Sequence, residues 1–100
     1  RYVLKRLKQF NGIAEESNNK EILDAILLLA KTEGIFTEPA GGVSVAVLKK
    51  MVEDGKIDKN ETTVCYVTGN GLKATESLME VLPKPEVMQP DVAKISAVVR

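Results

Sequence analysis

Residues 62–73 read TTVCYVTGNGLK, an apolar segment that runs straight into two glycines. Val64, Cys65, Tyr66 and Val67 are consecutive and barely interrupted by polar residues, so the segment reads as a strand covered on both faces. Such a strand requires helices on either side and parallel neighbours beside it, which confines the chain to α/β architectures. Gly69 and Gly71 then mark a turn at its carboxyl end, the place where open α/β sheets bind ligands. A turn of this kind can hold a nucleotide phosphate, hold another cofactor, or merely end a strand.

The flanking sequence supplies helices. Val3, Leu4, Leu7 and Phe10 share a stripe at helical spacing, opposite Lys5, Arg6 and Lys8, and Asn11-Gly12 ends that helix. Ile13 to Glu16 reads as a short extended segment. In NNKEILDAILLLAKTEG, Asn18 and Glu21 stand in capping-box positions, and Gly34 is placed for a C-terminal stop. Ile22, Leu23, Ile26, Leu27, Leu29 and Ala30 give this helix a broad apolar face. A third helix is expected from Pro39 to Gly55, with Val43, Val47, Leu48, Met51 and Val52 buried. Its first turn contains Gly41-Gly42, and glycine in a helix costs about 1 kcal/mol relative to alanine. Two in succession suggest that a backbone or a ligand approaches closely there.

Beyond the glycine turn, Leu78, Met79, Val81 and Leu82 predict another helix, ended by Pro83. Val92, Ile95, Val98 and Val99 repeat at helical spacing behind Pro90 and Asp91. The expected order is helix, short strand, helix, turn, helix, strand, helix and tail, with residues 1–82 forming an α/β portion and 83–100 a C-terminal tail. One central strand is not a sheet, so its partners are expected from further chain or another subunit. The opening on Arg1, with a helix already starting at Tyr2, carries the same expectation of a longer protein.

Composition narrows the function. The 100 residues hold 14 Lys and Arg against 14 Asp and Glu, so no polyanion partner is implied. Two Tyr, two Phe and no Trp argue against a base-stacking platform. Cys65 stands alone within the apolar run, which rules out a disulfide framework and reads as a buried thiol in a reducing compartment. The absence of His removes the commonest general base and metal ligand, and one cysteine with scattered carboxylates assembles no metal site. No apolar run approaches the ~18 residues of a membrane span, and no signal-like segment opens the chain.

For the glycine turn itself, Gly69-Asn70-Gly71-Leu72-Lys73-Ala74 satisfies the relaxed dinucleotide fingerprint, with Asp91 about twenty positions further on. That acid should end a second parallel strand, whereas Asp91 follows Pro90 and opens a helix-like segment. A phosphate loop of the G-x-x-x-x-G-K-[ST] type is not present. The other candidate is a different cofactor at the end of the strand, where Thr68 would offer its hydroxyl to a neutral ring nitrogen. Against it stands a purely local role, with Thr68 capping the turn that follows.

EGIFTEPAGG, VTGNGLK and the spacing between them closely resemble the C-terminal part of the threonine synthases, fold type II pyridoxal-phosphate enzymes related to tryptophan synthase β and threonine dehydratase. NGIAEESNNKEILDAILLLAKTEGIF is similar to the segment leading into that motif, so the resemblance spans roughly Gly12 to Lys73; the tail around VMQPDVAKI is similar to the family's less regular ending. The resemblance implies part of the large-domain parallel sheet with flanking helices. It implies pyridoxal phosphate as cofactor, with Thr68 hydrogen-bonding the pyridine nitrogen and Glu38 and Gly69 beside the cofactor. Helix capping is the structural alternative for Glu38. Gly41, Gly42, Gly69 and Gly71 fit turns that pass close to the ring, or are structural.

The reaction implied is conversion of O-phosphohomoserine and water to threonine and phosphate, by a cytoplasmic homodimer. Threonine dehydratase, cysteate synthase and a non-catalytic binding or assembly module remain the alternatives. In the family, a lysine far upstream forms the Schiff base with the cofactor, and a glycine-rich loop binds its phosphate. Neither motif occurs here, so this chain alone is expected to be catalytically incomplete. Lys73 matches the turn lysine rather than the cofactor-bearing one and is expected to face solvent or cap a helix.

Overall fold

The computed structural model describes residues 1–79, 81–82, 84 and 87–98. Pro83 as a helix stop and Val99 as part of the last apolar stripe lie outside the described residues.

Among the described residues four α-helices form: α1 (Tyr2–Gln9), α2 (Asn19–Glu33), α3 (Pro39–Glu53) and α4 (Val92–Val98). Helix α2 begins as its sequence dictates. The Glu21 N–H donates to Asn18 Oδ1 at 3.0 Å while the Asn18 N–H donates to Glu21 Oε2 at 2.7 Å, a reciprocal capping box. It ends at Gly34, whose φ of 68° lies in the left-handed region that a side chain would disfavour. Helix α3 starts with Pro39 in its first turn and stops before Gly55, which also has φ 68°.

Helices α2 and α3 pack on each other and form the centre of the molecule. Ala25 and Ile26 are buried on α2, and Gly41, Gly42 and Ala46 on α3. The buried face of α3 is therefore not the large-residue stripe expected from its periodicity, since Val43 and Val52 are exposed. Its small residues face the neighbour instead. Gly42 and Ala46 stand one turn apart and let the helices approach closely; a Cβ on Gly42 would lie 2.7 Å from Ile26 Cγ1 and 3.0 Å from the Ile22 carbonyl oxygen.

The apolar stripe of α1 is not covered by the described residues, and Val3, Leu4 and Phe10 are exposed. Arg6 lies over the Tyr2 ring, 5.1 Å from its centroid, and donates to Gln9 Oε1 at 2.9 Å.

Two further expectations are corrected. Residues 62–68 form no ladder, and the described residues contain no strand. Their carbonyls and amides need neighbouring strands, and none lies alongside. Nor is the segment covered on both faces: Val64 and Tyr66 are exposed, while Cys65 and Val67 are half-buried. The segment flanks a groove of about 260 Å³ whose other wall includes Val47, Leu48 and Met51 of α3.

The helix expected around Leu78 is instead two 3₁₀ turns, Gly71–Lys73 and Thr75–Leu78. They are separated at Ala74, where φ −146° and ψ 49° interrupt the helical path. Of the apolar face expected there, Leu78 is buried and Met79, Val81 and Leu82 are exposed.

Candidate functional site

The chain brings together two segments far apart in sequence, Phe36–Glu38 at the entry to α3 and Gly69–Lys73 at the glycine turn. They meet in antiparallel fashion through an isolated bridge between Thr37 and Asn70. The Glu38 N–H donates to the Gly69 carbonyl at 3.1 Å, and the Gly71 N–H donates to the Phe36 carbonyl at 3.0 Å. The hydroxyl of Thr37, a fully buried residue, also donates to the Gly69 carbonyl, at 3.0 Å.

Two glycines make this clasp possible through the space they leave. A Cβ on Gly71 would stand 2.5 Å from the Phe36 ring, and a Cβ on Gly69 would fall on the Glu38 carboxylate. That carboxylate does not cap α3, although Glu38 is the residue preceding the helix. It pairs with Lys73, Oε2 to Nζ at 3.2 Å, while the Lys73 side chain keeps most of its surface in solvent. Lys73 is thus solvent-facing, as its place in the motif implies, and tied to Glu38 as well.

Thr68 immediately precedes the clasp and is exposed. The local capping role open to it is filled by Asn70, whose Oδ1 accepts from the Leu72 N–H at 2.9 Å at the head of the first 3₁₀ turn. Among the described residues the Thr68 hydroxyl has no hydrogen-bond partner. Asp91, the acid that a dinucleotide site would require, accepts from the Ala93 N–H at 2.9 Å at the start of α4, and the acid is occupied as a helix cap.

Thr68, Gly69 and Glu38 therefore converge, whereas Gly42 serves the contact between α2 and α3. Gly41 is buried against Thr37, whose hydroxyl occupies the space a Cβ would need. Thr37 is the residue that sequence reasoning missed. Its signal is a small residue one turn later, Gly41, leaving room for a side chain to fold under the helix start.

The arrangement suits a flat, neutral ring more than an anion. It presents an unpartnered hydroxyl at the rim of a glycine turn and places a carboxylate, not a cation, nearest the glycine. The described residues offer no group of three or more metal-ligating side chains. A crevice of about 330 Å³ between α2 and α3, lined by Asp24, Leu28, Lys49 and Glu53 among others, does not include Thr68, Glu38 or Gly69.

Comparison with known proteins identifies the family. The family model described as pyridoxal-phosphate dependent enzyme matches residues 1–69. The chain is 41% identical to the threonine synthase of Halalkalibacterium halodurans over 90% of its own length and 26% of that protein's. It is 39% identical to the threonine synthase of Methanocaldococcus jannaschii over 89% of the chain and 22% of the relative. With the threonine synthase of a Bacillus species it shares 49% identity over 72% of the chain and 20% of the relative. The chain thus spans at most about a quarter of the curated relatives it matches. It belongs to the pyridoxal-phosphate dependent enzymes of fold type II.

Proposed function

We propose that the chain is the C-terminal part of a threonine synthase, contributing the ring-nitrogen wall of its cofactor site. The observation that carries this reading is the Thr68 hydroxyl, exposed and unpartnered at the end of a clasped turn whose local capping is done by Asn70. When bound, pyridoxal phosphate supplies the electron sink for a γ-elimination followed by a β-replacement, which turns O-phosphohomoserine and water into threonine and phosphate.

The residues of this chain do the holding. Thr68 donates a hydrogen bond to the pyridine nitrogen, and a hydroxyl at that place leaves the nitrogen largely unprotonated, where a carboxylate would favour its protonated form. Gly69 allows the turn to pass close to the ring plane. Glu38 stands behind Gly69, with its charge partly matched by Lys73, and completes the polar edge.

In this reading, residues 1–82 supply helices and one strand to the large-domain parallel sheet, and residues 83–100 form the tail. Segment 62–68 forms no ladder within these residues, and in this reading its neighbouring strands come from the rest of the protein. The cofactor-bearing lysine and the phosphate loop are supplied outside these residues, so the chain alone is inactive. A homodimer and a cytoplasmic location belong to the same reading, on the strength of the resemblance.

Thr68→Val, in a chain of full family length carrying this segment, is the direct test. It keeps the shape and removes the donor, and should weaken cofactor binding by about 1–3 kcal/mol. Turnover of O-phosphohomoserine should fall with it. Cofactor affinity and turnover equal to those of the unaltered enzyme would overturn the assignment. Turnover of threonine in place of O-phosphohomoserine would move the protein to the dehydratase branch.

A further inference from the structure

Thr37 is fully buried and polar, and neither the sequence motifs nor the proposed cofactor contact gives it a task. Valine would fill the same space without needing a hydrogen-bond partner. The threonine hydroxyl instead reaches across 32 residues of chain to the Gly69 carbonyl at 3.0 Å. The same carbonyl accepts the Glu38 N–H at 3.1 Å.

Two donors on one carbonyl fix both the position and the tilt of a peptide plane. They do so at a glycine, the residue that most needs an outside restraint to hold one conformation. Thr68 is attached directly to that glycine. Gly41, one turn into α3, leaves the room in which the Thr37 hydroxyl sits. A buried donor, a glycine making space for it and an acceptor on the residue after Thr68 link the start of α3 to the turn that Thr68 enters.

We propose that Thr37 is a positioning residue, holding the Gly69 carbonyl so that the hydroxyl of Thr68 is aimed at the ring nitrogen. The proposal rests on the assignment of Thr68 made above. Thr37 touches neither cofactor nor substrate and acts only through the turn.

The test uses a chain of full family length carrying this segment, with cofactor affinity measured by the fluorescence of bound pyridoxal phosphate. Thr37→Val should weaken cofactor binding by about five- to tenfold, the effect of one lost hydrogen bond. Thr37→Ser, which keeps the donor, should bind within about twofold of the unaltered protein. In the cofactor-free protein, amide exchange at Glu38 and Gly71 should quicken in Thr37→Val and not in Thr37→Ser. The decisive readout is the double variant: in a Thr68→Val background, Thr37→Val should have little further effect on affinity. Additive losses would make Thr37 merely structural and overturn the proposal, as would equal affinities in the Val and Ser variants. Should Thr37→Val fail to fold, Thr37→Ala against Thr37→Ser carries the same comparison, with loss only in Ala expected. Unchanged affinity in Thr68→Val sinks the cofactor assignment itself. A loss in Thr68→Val without one in Thr37→Val sinks only the role of Thr37.

Discussion

Alanine at position 69 would place its Cβ on the Glu38 carboxylate, so the Glu38 side chain would have to turn aside and leave its contact with Lys73. Gly69→Ala should therefore destabilise the clasp by about 1 kcal/mol, the cost of turning one flexible side chain out of its place. Adding Glu38→Ala removes the obstruction, so the double variant should be more stable than the sum of the two single losses predicts. Urea unfolding of the four proteins checks this, and strict additivity would show that the carboxylate is not what excludes the methyl. Lys73→Met should cost much less, under about 1 kcal/mol, because an ion pair so open to water contributes little. Salt dependence of that small loss identifies it as electrostatic.

At the scale of elements, the joint between α2 and α3 depends on the absence of a side chain at 42. Gly42→Val would drive methyls into Ile26 and the Ile22 backbone, and the cost should reach about 1–3 kcal/mol or separate the helices. Thermal unfolding followed by circular dichroism measures it; an unchanged midpoint would mean the helices are not in close contact. The connector before α2 is tied to the end of α3 by charge. Glu15 accepts from Lys56 Nζ at 2.8 Å and lies 3.5 Å from Lys50 Nζ. The hydrogen bond from Lys56, then the Glu16 N–H and the Lys50 charge, hold the Glu15 carboxyl at about 2, below its ordinary 4.5. A depressed carboxyl stabilises the fold above its unfolded value, so this contribution is complete above about 4.5 and is lost as pH falls towards 2. Glu15→Gln should remove the loss across that window, and a Glu15 carboxyl titrating near 4.5 by NMR would contradict the contact. The helix ends were legible in the sequence because their signals are local: Asn18 with Glu21, Gly34, Pro39 and Gly55 each act within a turn. The buried stripe of α3 was not, because large residues set the periodicity while the neighbour selected the small ones. Thr68, Gly69 and Glu38 were singled out through their motifs, and the fold brings Glu38 against Gly69. Thr37 escaped because its partner is 32 residues away, and the paired state of 62–68 depends on strands that no local pattern contains.

On the scale of the whole molecule, the Cα radius of gyration is 18.3 Å, against about 13 Å for a compact domain of this length. Among the apolar side chains exposed in the described residues are two sets: Val3, Leu4 and Phe10 on α1, and Val64 and Tyr66 on segment 62–68. The second set lies on a segment whose backbone groups lack a ladder, and an open edge of this kind with apolar side chains pairs readily with other chains. The 100-residue chain by itself should therefore self-associate at micromolar concentrations and bind a hydrophobic dye, whereas a chain of full family length should do neither to the same extent. Sedimentation and dye fluorescence measure this, and Val64→Lys with Tyr66→Lys should shift the short chain towards monomer. The same short chain tests the division of labour in the proposed site. On the proposed reading it carries the ring-nitrogen wall but not the lysine that holds the cofactor, so incubation with pyridoxal phosphate and borohydride should give weak, scattered labelling of exposed lysines. Stable labelling of one specific lysine would place the reactive amine within these residues, and Lys73, beside the glycine turn and paired with Glu38, would be the first position to map by mass spectrometry.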